Sequence, residues 1–207
     1  MIAVTRVKVC GVRTPEDATM CAELGVDTLG LNFWPGTPRC VDIPAAQRIL
    51  AALPEGVEVV AVFVDQPLEF IQQVRRETGI TWVQLHGEEA PEAVAALLPN
   101  AYKAIGVSDE SPLEEVRRYP GEHILLDARV PGAMPGGTGV SFDWTLATSV
   151  AAERKLTLAG GLTPDNVAEC VRQIRPYRVD VASGVESAPG VKDRDKVAAF
   201  VRAVREA

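Results

Sequence analysis

Cys10, His86 and Asp127 are of types that move protons, and each sits at or just past the end of a short, mostly apolar run. Cys10 closes VTRVKVC, His86 follows ITWVQL and Asp127 closes HILLD. A cysteine thiolate acts as a nucleophile or as a base. Side chains alternate along a strand, so Lys8 shares a face with Cys10. If that face lines the inside of a barrel, Lys8 lies below Cys10 and its charge favours the thiolate. Gly11 then lets the next loop come close. A small buried hydrophobe is the alternative reading of Cys10. A carboxyl ending an apolar strand, as Asp127 does, is a costly neighbour for a core, and desolvation disfavours the charged form of such a group. Asp127 therefore reads as a general acid, with capping of the next loop as the alternative. His123 opens its run instead of closing it and reads as structural.

A second kind of chemistry is written in glycine. Gly136-Gly137-Thr138-Gly139, Gly160-Gly161 and Ser183-Gly184 follow three consecutive strand candidates, and the last two lead towards helix starts. Glycine lets backbone N–H groups approach an anion closely, and a helix N-terminus adds partial positive charge. One such segment alone is more often a turn. Three in succession point to a bound phosphate, with Gly137, Thr138, Gly139, Gly160, Gly161, Ser183 and Gly184 as the expected contacts.

The elements that must position these groups alternate. Strand candidates are Val4–Cys10, Asp27–Phe33, Val57–Val64, Ile80–Leu85, Ala101–Val107, His123–Asp127, Lys155–Ala159 and Arg178–Ala182. Runs such as VVAVFV are nearly all apolar, as strands covered on both faces should be. Helix starts fall between them. Thr14-Pro15-Glu16-Asp17 reads as an N-cap, a proline and an acidic first turn, and Thr163-Pro164-Asp165 repeats it. Pro44, Pro67, Pro91 and Pro112 open further helices, a weaker helix follows Asp143, and the last spans about Asp193–Arg205. Eight β-then-α units imply a parallel sheet with right-handed crossovers. The expected fold is a single (β/α)8 TIM barrel over residues 1–207, although periodicity alone leaves an open doubly wound sheet in play. In a barrel the site lies at the C-terminal ends of the strands, which is where Cys10, His86, Asp127 and the glycine segments fall.

Composition narrows the classes further. Hydrophobic residues make up 47% of 207 residues, which suits a globular core. A net charge of −7 disfavours a general nucleic-acid surface, yet backbone amides still hold one phosphate locally. No apolar run reaches the roughly 18 residues that span a bilayer, so no membrane partner is expected. The first residues do not read as a secretory signal, which makes the cytoplasm the expected location. Four cysteines without a CxxC pair, and two histidines, do not suggest a metal site or a disulfide framework. Cys21 and Cys170 read as helix-packing residues.

The chain resembles phosphoribosylanthranilate isomerases from end to end. The matching segments are KVCGVRTPEDA, GLNFWPGTPRCV, VFVDQP, QLHG, LLDARVPGAMPGGTGVSFDW, LAGGLTPDNV and DVASGVESAPGVKD. The resemblance implies an Amadori rearrangement in tryptophan biosynthesis, in which an aminoaldose phosphate becomes an aminoketose phosphate. It implies Asp127 as the acid that protonates the furanose ring oxygen and Cys10 as the base that takes the C2′ proton. It implies no metal or organic cofactor, because the substrate nitrogen serves as electron sink. Arg39 matches the family arginine expected to bind the anthranilate carboxylate, a planar anion that suits a guanidinium. His86 matches the LHG histidine expected in the aromatic pocket. The segment Thr37-Pro38-Arg39-Cys40 departs from the family's SPRY: threonine keeps the hydroxyl, whereas Cys40 replaces an aromatic and leaves the packing beside Arg39 open. The partner implied is a small phosphorylated molecule, and the chain is expected to be a monomer or homodimer.

Two rival readings share part of this pattern. Another phosphosugar isomerase or epimerase of the same fold would show paired acids or metal ligands in place of Cys10 with Arg39. A non-catalytic phosphate sensor would keep the glycine loops but has no need of both Cys10 and Asp127.

Overall fold

Eight parallel strands close on themselves in chain order in the computed structural model, which describes residues 4–107, 112–128 and 147–207. They are β1 (Arg6–Cys10), β2 (Thr28–Asn32), β3 (Glu58–Phe63), β4 (Trp82–Leu85), β5 (Ala101–Val107), β6 (His123–Ala128), β7 (Lys155–Leu158) and β8 (Arg178–Val181). The ring is completed where β1 pairs with β8, Lys8 lying opposite Asp180. The open doubly wound sheet is thereby excluded. Helices between the strands are α1 (Pro15–Glu23), α2 (Ile43–Ala52), α3 (Leu68–Thr78), α4 (Pro91–Ala95), α5 (Leu113–Arg118), α6 (Thr148–Glu153), α7 (Val167–Ile174) and α8 (Arg194–Arg205). None of these helices is long and apolar enough to cross a membrane.

Most helix starts follow the local chemistry. Thr14 Oγ1 accepts from the Asp17 N–H at 3.1 Å, and Pro15 takes the first turn, where its missing N–H costs nothing. Asp42 caps α2 ahead of Pro44. The Thr163 signal is the exception. The chain there makes a turn, and α7 starts three residues later than that signal places it, behind Asn166. The Asn166 side chain accepts from the Thr163 N–H at 2.8 Å and donates to the Gly161 carbonyl at 2.9 Å, so it serves the loop and not the helix. After β8 the chain also forms a short 3-10 turn (Ser183–Val185) and a small antiparallel pair, β9 (Glu186–Ala188) with β10 (Val191–Lys192), which periodicity does not foretell.

Strand alternation splits the interior in two. Odd-facing residues such as Val7, Val9, Leu29, Leu31, Val83 and Leu85 join the helices in the larger apolar layer, together with Cys21 and Cys170. The other face fills the barrel. Val60, Tyr102, Ala104, Leu125 and Ala159 form a separate cluster there, with Trp82 against it. Below that cluster Arg178 donates to Glu58 at 3.0 Å, and His123 lies between Trp82 and Tyr177. This plugs the N-terminal end, so the open end is the C-terminal mouth.

Candidate active site

Cys10, Arg39, His86, Asp127, Gly160, Gly161, Ser183 and Gly184 line one cavity at the C-terminal mouth. Sequence reading placed all of these in the site. Gly137, Thr138 and Gly139 lie outside the described residues.

Cys10 is the last residue of β1 and is partly exposed to the mouth. Burial pushes its thiol above the ordinary value, while the ammonium charges of Lys8 and then Lys192 pull it back. Lys8 does lie inside the barrel below Cys10, as alternation requires, but it is fully buried and ion-paired with Asp180. Burial pushes its ammonium pKa down, yet the groups beside it, Asp180 first, more than offset this and the net shift is upward. The expected pull of Lys8 on Cys10 is therefore real but shared, and the free thiol stays high. His123, at the opposite end, is buried among aromatic rings, as a structural residue should be.

Asp127 lies near the C-terminal end of β6 and is 4% exposed. Its Oδ2 lies 3.2 Å from His86 Nε2. His86 thus touches the candidate acid directly, a contact that its expected place in an aromatic pocket does not include. Its backbone N–H is pinned to the Phe63 carbonyl at 2.8 Å. Buried Lys103 holds the same loop, donating to the Gly87 carbonyl at 2.6 Å.

Arg39 follows β2 and is positioned from two sides. Gly11 has a positive φ of 74°, and a Cβ there would meet Arg39 Cδ at 2.5 Å, so only glycine admits the arginine stem. Glu186 receives its Nε and Nη2 in a two-bond fork. Burial alone would raise the Glu186 carboxyl, but hydrogen bonding from Arg39 and the charge of Lys192 bring it below its usual value. Lys192 itself is buried and gives its ammonium hydrogens to Glu186 Oε1 (2.8 Å), the Cys10 carbonyl (2.6 Å) and the Ala182 carbonyl (3.3 Å). One ammonium therefore ties together the end of β1, the end of β8 and, through Glu186, Arg39. Cys40 adjoins this region as a bridge partner of Asn32.

The loops after β7 and β8 present backbone. Gly160 and Gly161 have φ values of 95° and 64°, and neither N–H donates to a backbone carbonyl among the described residues. Gly184 packs so closely on the β7 loop that a Cβ would stand 2.0 Å from the Leu162 carbonyl oxygen. Asp180 completes the wall. Its Oδ2 is held by Lys8, while its buried Oδ1 has no hydrogen-bond partner among the described residues. Gln84, Asp180, Glu186 and Lys192 were absent from the sequence-predicted set. The available signal was a polar residue between two apolar ones in a barrel strand, as in Val83-Gln84-Leu85 and Val179-Asp180-Val181.

A thiol and a carboxyl facing one cavity, an arginine at one side and anion-ready backbone at the other, can bind a doubly anionic molecule and move a proton off carbon. Comparison with known proteins agrees. A sequence model described as N-(5'phosphoribosyl)anthranilate (PRA) isomerase matches residues 7–203. The chain belongs to this family. It is 44% identical over 201 residues to the N-(5'-phosphoribosyl)anthranilate isomerase of Pelobacter propionicus, with 97% of this chain and 96% of the relative covered. It superposes on the phosphoribosyl anthranilate isomerase of Thermotoga maritima with a TM-score of 0.89 at 38% identity, covering 99% and 100% of the two chains. A family structure in complex with reduced 1-(o-carboxyphenylamino)-1-deoxyribulose 5-phosphate matches with a TM-score of 0.86 at 36% identity, covering 99% and 100%.

Proposed function

We propose that this enzyme converts N-(5′-phosphoribosyl)anthranilate into 1-(o-carboxyphenylamino)-1-deoxyribulose 5-phosphate, an Amadori rearrangement of tryptophan biosynthesis. The observation that carries the reading is that Cys10 and Asp127, three strands apart around the ring, line one cavity together with Arg39 and the glycine loops. Asp127 protonates the furanose oxygen, and the ring opens to a cationic Schiff base. Cys10 removes the C2′ proton, and the electron pair moves into the iminium nitrogen. The resulting enolamine tautomerises to the ketone. A free thiol held high by burial is a poor base, but the iminium charge arises next to it after ring opening and favours the thiolate at that step. The nitrogen already acts as electron sink, so the scheme requires no metal or organic cofactor.

The phosphate is held by backbone amides of Gly160, Gly161, Ser183 and Gly184, with Gly137, Thr138 and Gly139 assigned to the same anion. Arg39 takes the anthranilate carboxylate. Asp180, which lines the cavity and whose Oδ1 has no hydrogen-bond partner among the described residues, accepts a ribose hydroxyl. We place the enzyme in the cytoplasm, as a monomer or homodimer. The test is turnover of N-(5′-phosphoribosyl)anthranilate followed by loss of its anthranilate fluorescence. Wild type should consume it, while Asp127→Asn should fold and be nearly inactive. No turnover by wild type, or ordinary turnover by Asp127→Asn, would overturn the assignment.

A further inference from the structure

We infer that Gln84 is a positioning residue that sets the tautomer of His86 and thereby selects the oxygen through which Asp127 gives its proton. The inference rests on Asp127 being the acid proposed above. Gln84 is fully buried on β4 and points into the barrel, where its Oε1 accepts from Lys8 Nζ at 2.9 Å and from the Tyr102 hydroxyl at 3.1 Å. An ammonium carries donors only, so the carbonyl end of the amide must face Lys8. The NH2 end then faces His86 Nδ1, 2.8 Å away. An amide NH2 can only donate, so Nδ1 must be the bare nitrogen and the ring hydrogen sits on Nε2. Nε2, which then carries the hydrogen, lies 3.2 Å from Asp127 Oδ2.

The polarity of the whole series follows from its first member. Asp180 holds Lys8, Lys8 orients Gln84, Gln84 fixes His86, and His86 sets its Nε2–H beside Asp127. An N–H facing Oδ2 leaves Oδ1 as the oxygen through which the proposed acid gives its proton. The other tautomer would turn a bare Nε2 towards Asp127, where an acceptor competes with the ring oxygen for hydrogen bonding.

The chain has only two histidines, so nitrogen-15 NMR of uniformly labelled protein resolves His86 once His123→Phe has identified the other ring. In substrate-free wild type at mildly alkaline pH, His86 Nδ1 should give the shift of an unprotonated ring nitrogen and Nε2 that of an N–H. Gln84→Leu should release this preference, and kcat should fall by roughly tenfold with a smaller change in KM, the size expected for one lost orienting hydrogen bond. Gln84→Glu, with an acceptor in place of the NH2, should put a proton on Nδ1. A merely structural Gln84 would not move these signals. In a His86→Gln background, whose amide can donate to Asp127 unaided, Gln84→Leu should cost little more, a non-additivity that marks action through His86. A protonated Nδ1 in wild type, or fully additive losses, would overturn the inference. The NMR result does not depend on turnover: an active Asp127→Asn with the expected tautomer would remove the proposed acid and leave the lock on His86 standing.

Discussion

Arg39 meets Glu186 through two parallel hydrogen bonds, Nε to Oε1 at 2.8 Å and Nη2 to Oε2 at 2.7 Å. The pairing extends the arginine and holds its planar head at the cavity wall, leaving further N–H groups for a second anion. Losing one charge-assisted interaction costs about 1.5–3 kcal/mol. Arg39→Met should therefore weaken binding of a reduced product analogue by roughly 10- to 150-fold. An analogue lacking the benzoate carboxylate should bind wild type and variant about equally. Equal weakening of both analogues in calorimetric titrations would show that Arg39 does not bind the carboxylate.

The high thiol of Cys10 is testable without substrate. In a Cys40→Ser background, the rate of alkylation by iodoacetamide should reach half its maximum at a pH above the ordinary thiol value of 9.0, because burial outweighs the charges of Lys8 and Lys192. Half-reaction at or below 9.0 would contradict the electrostatics described here. Cys10→Ala should lower kcat by about 10²–10⁴-fold with a much smaller change in KM, since it removes a group needed only for proton abstraction.

The phosphate assignment rests on close backbone contact between the loops after β7 and β8. Gly184→Ala would set a Cβ against the Leu162 carbonyl and push those loops apart. Inorganic phosphate, used as a competitive inhibitor, should then bind roughly tenfold more weakly or worse, about 1.4 kcal/mol or more. An unchanged inhibition constant would move the phosphate elsewhere.

How far this site was legible in the sequence depends on the kind of signal each residue leaves. The ring, its strand ends and the candidates Cys10, Arg39, His86 and Asp127 follow from apolar runs, proline and cap signals, and family motifs. Those features are local in the chain. The contact between His86 and Asp127 is not local, because it joins β4 to β6 and depends on how the closed barrel turns its strands. Gln84 and Lys192 have the same character. Each is one polar residue among apolar neighbours, and its role is visible only through partners from distant strands, such as Lys8 for Gln84 and Cys10 for Lys192. Asn166 shows a local signal overridden: a threonine–proline start was present, but its asparagine neighbour spends its side chain on the loop below.

His123 gives the last prediction, and it concerns stability, not turnover. The ring is 7% exposed, with its centroid 4.9 Å from that of Trp82 and 5.2 Å from that of Tyr177. Its Nδ1 has no hydrogen-bond partner among the described residues. Burial, together with the positive charges of Arg178 and Lys155, lowers its pKa from 6.5 to about 4. The unfolded chain therefore binds a proton between those two values that the folded chain refuses. Stability rises with pH wherever the unfolded state holds more protons, so this contribution is fully present above 6.5 and is lost as pH falls towards 4. At 1.36 kcal/mol per unit the loss is roughly 2–3 kcal/mol. Phenylalanine keeps the edge-to-face packing and removes both the titration and the orphaned nitrogen. Urea unfolding of wild type and His123→Phe at a series of pH values should give free energies that diverge on acidification, the variant gaining by that amount between neutral pH and about 4. Carboxylates remote from the ring affect both proteins alike and cancel in the difference, whereas Glu122 and Glu58 act on the His123 charge itself. Parallel curves would mean that His123 is protonated in the folded barrel, against the burial and the charges of Arg178 and Lys155 that oppose it.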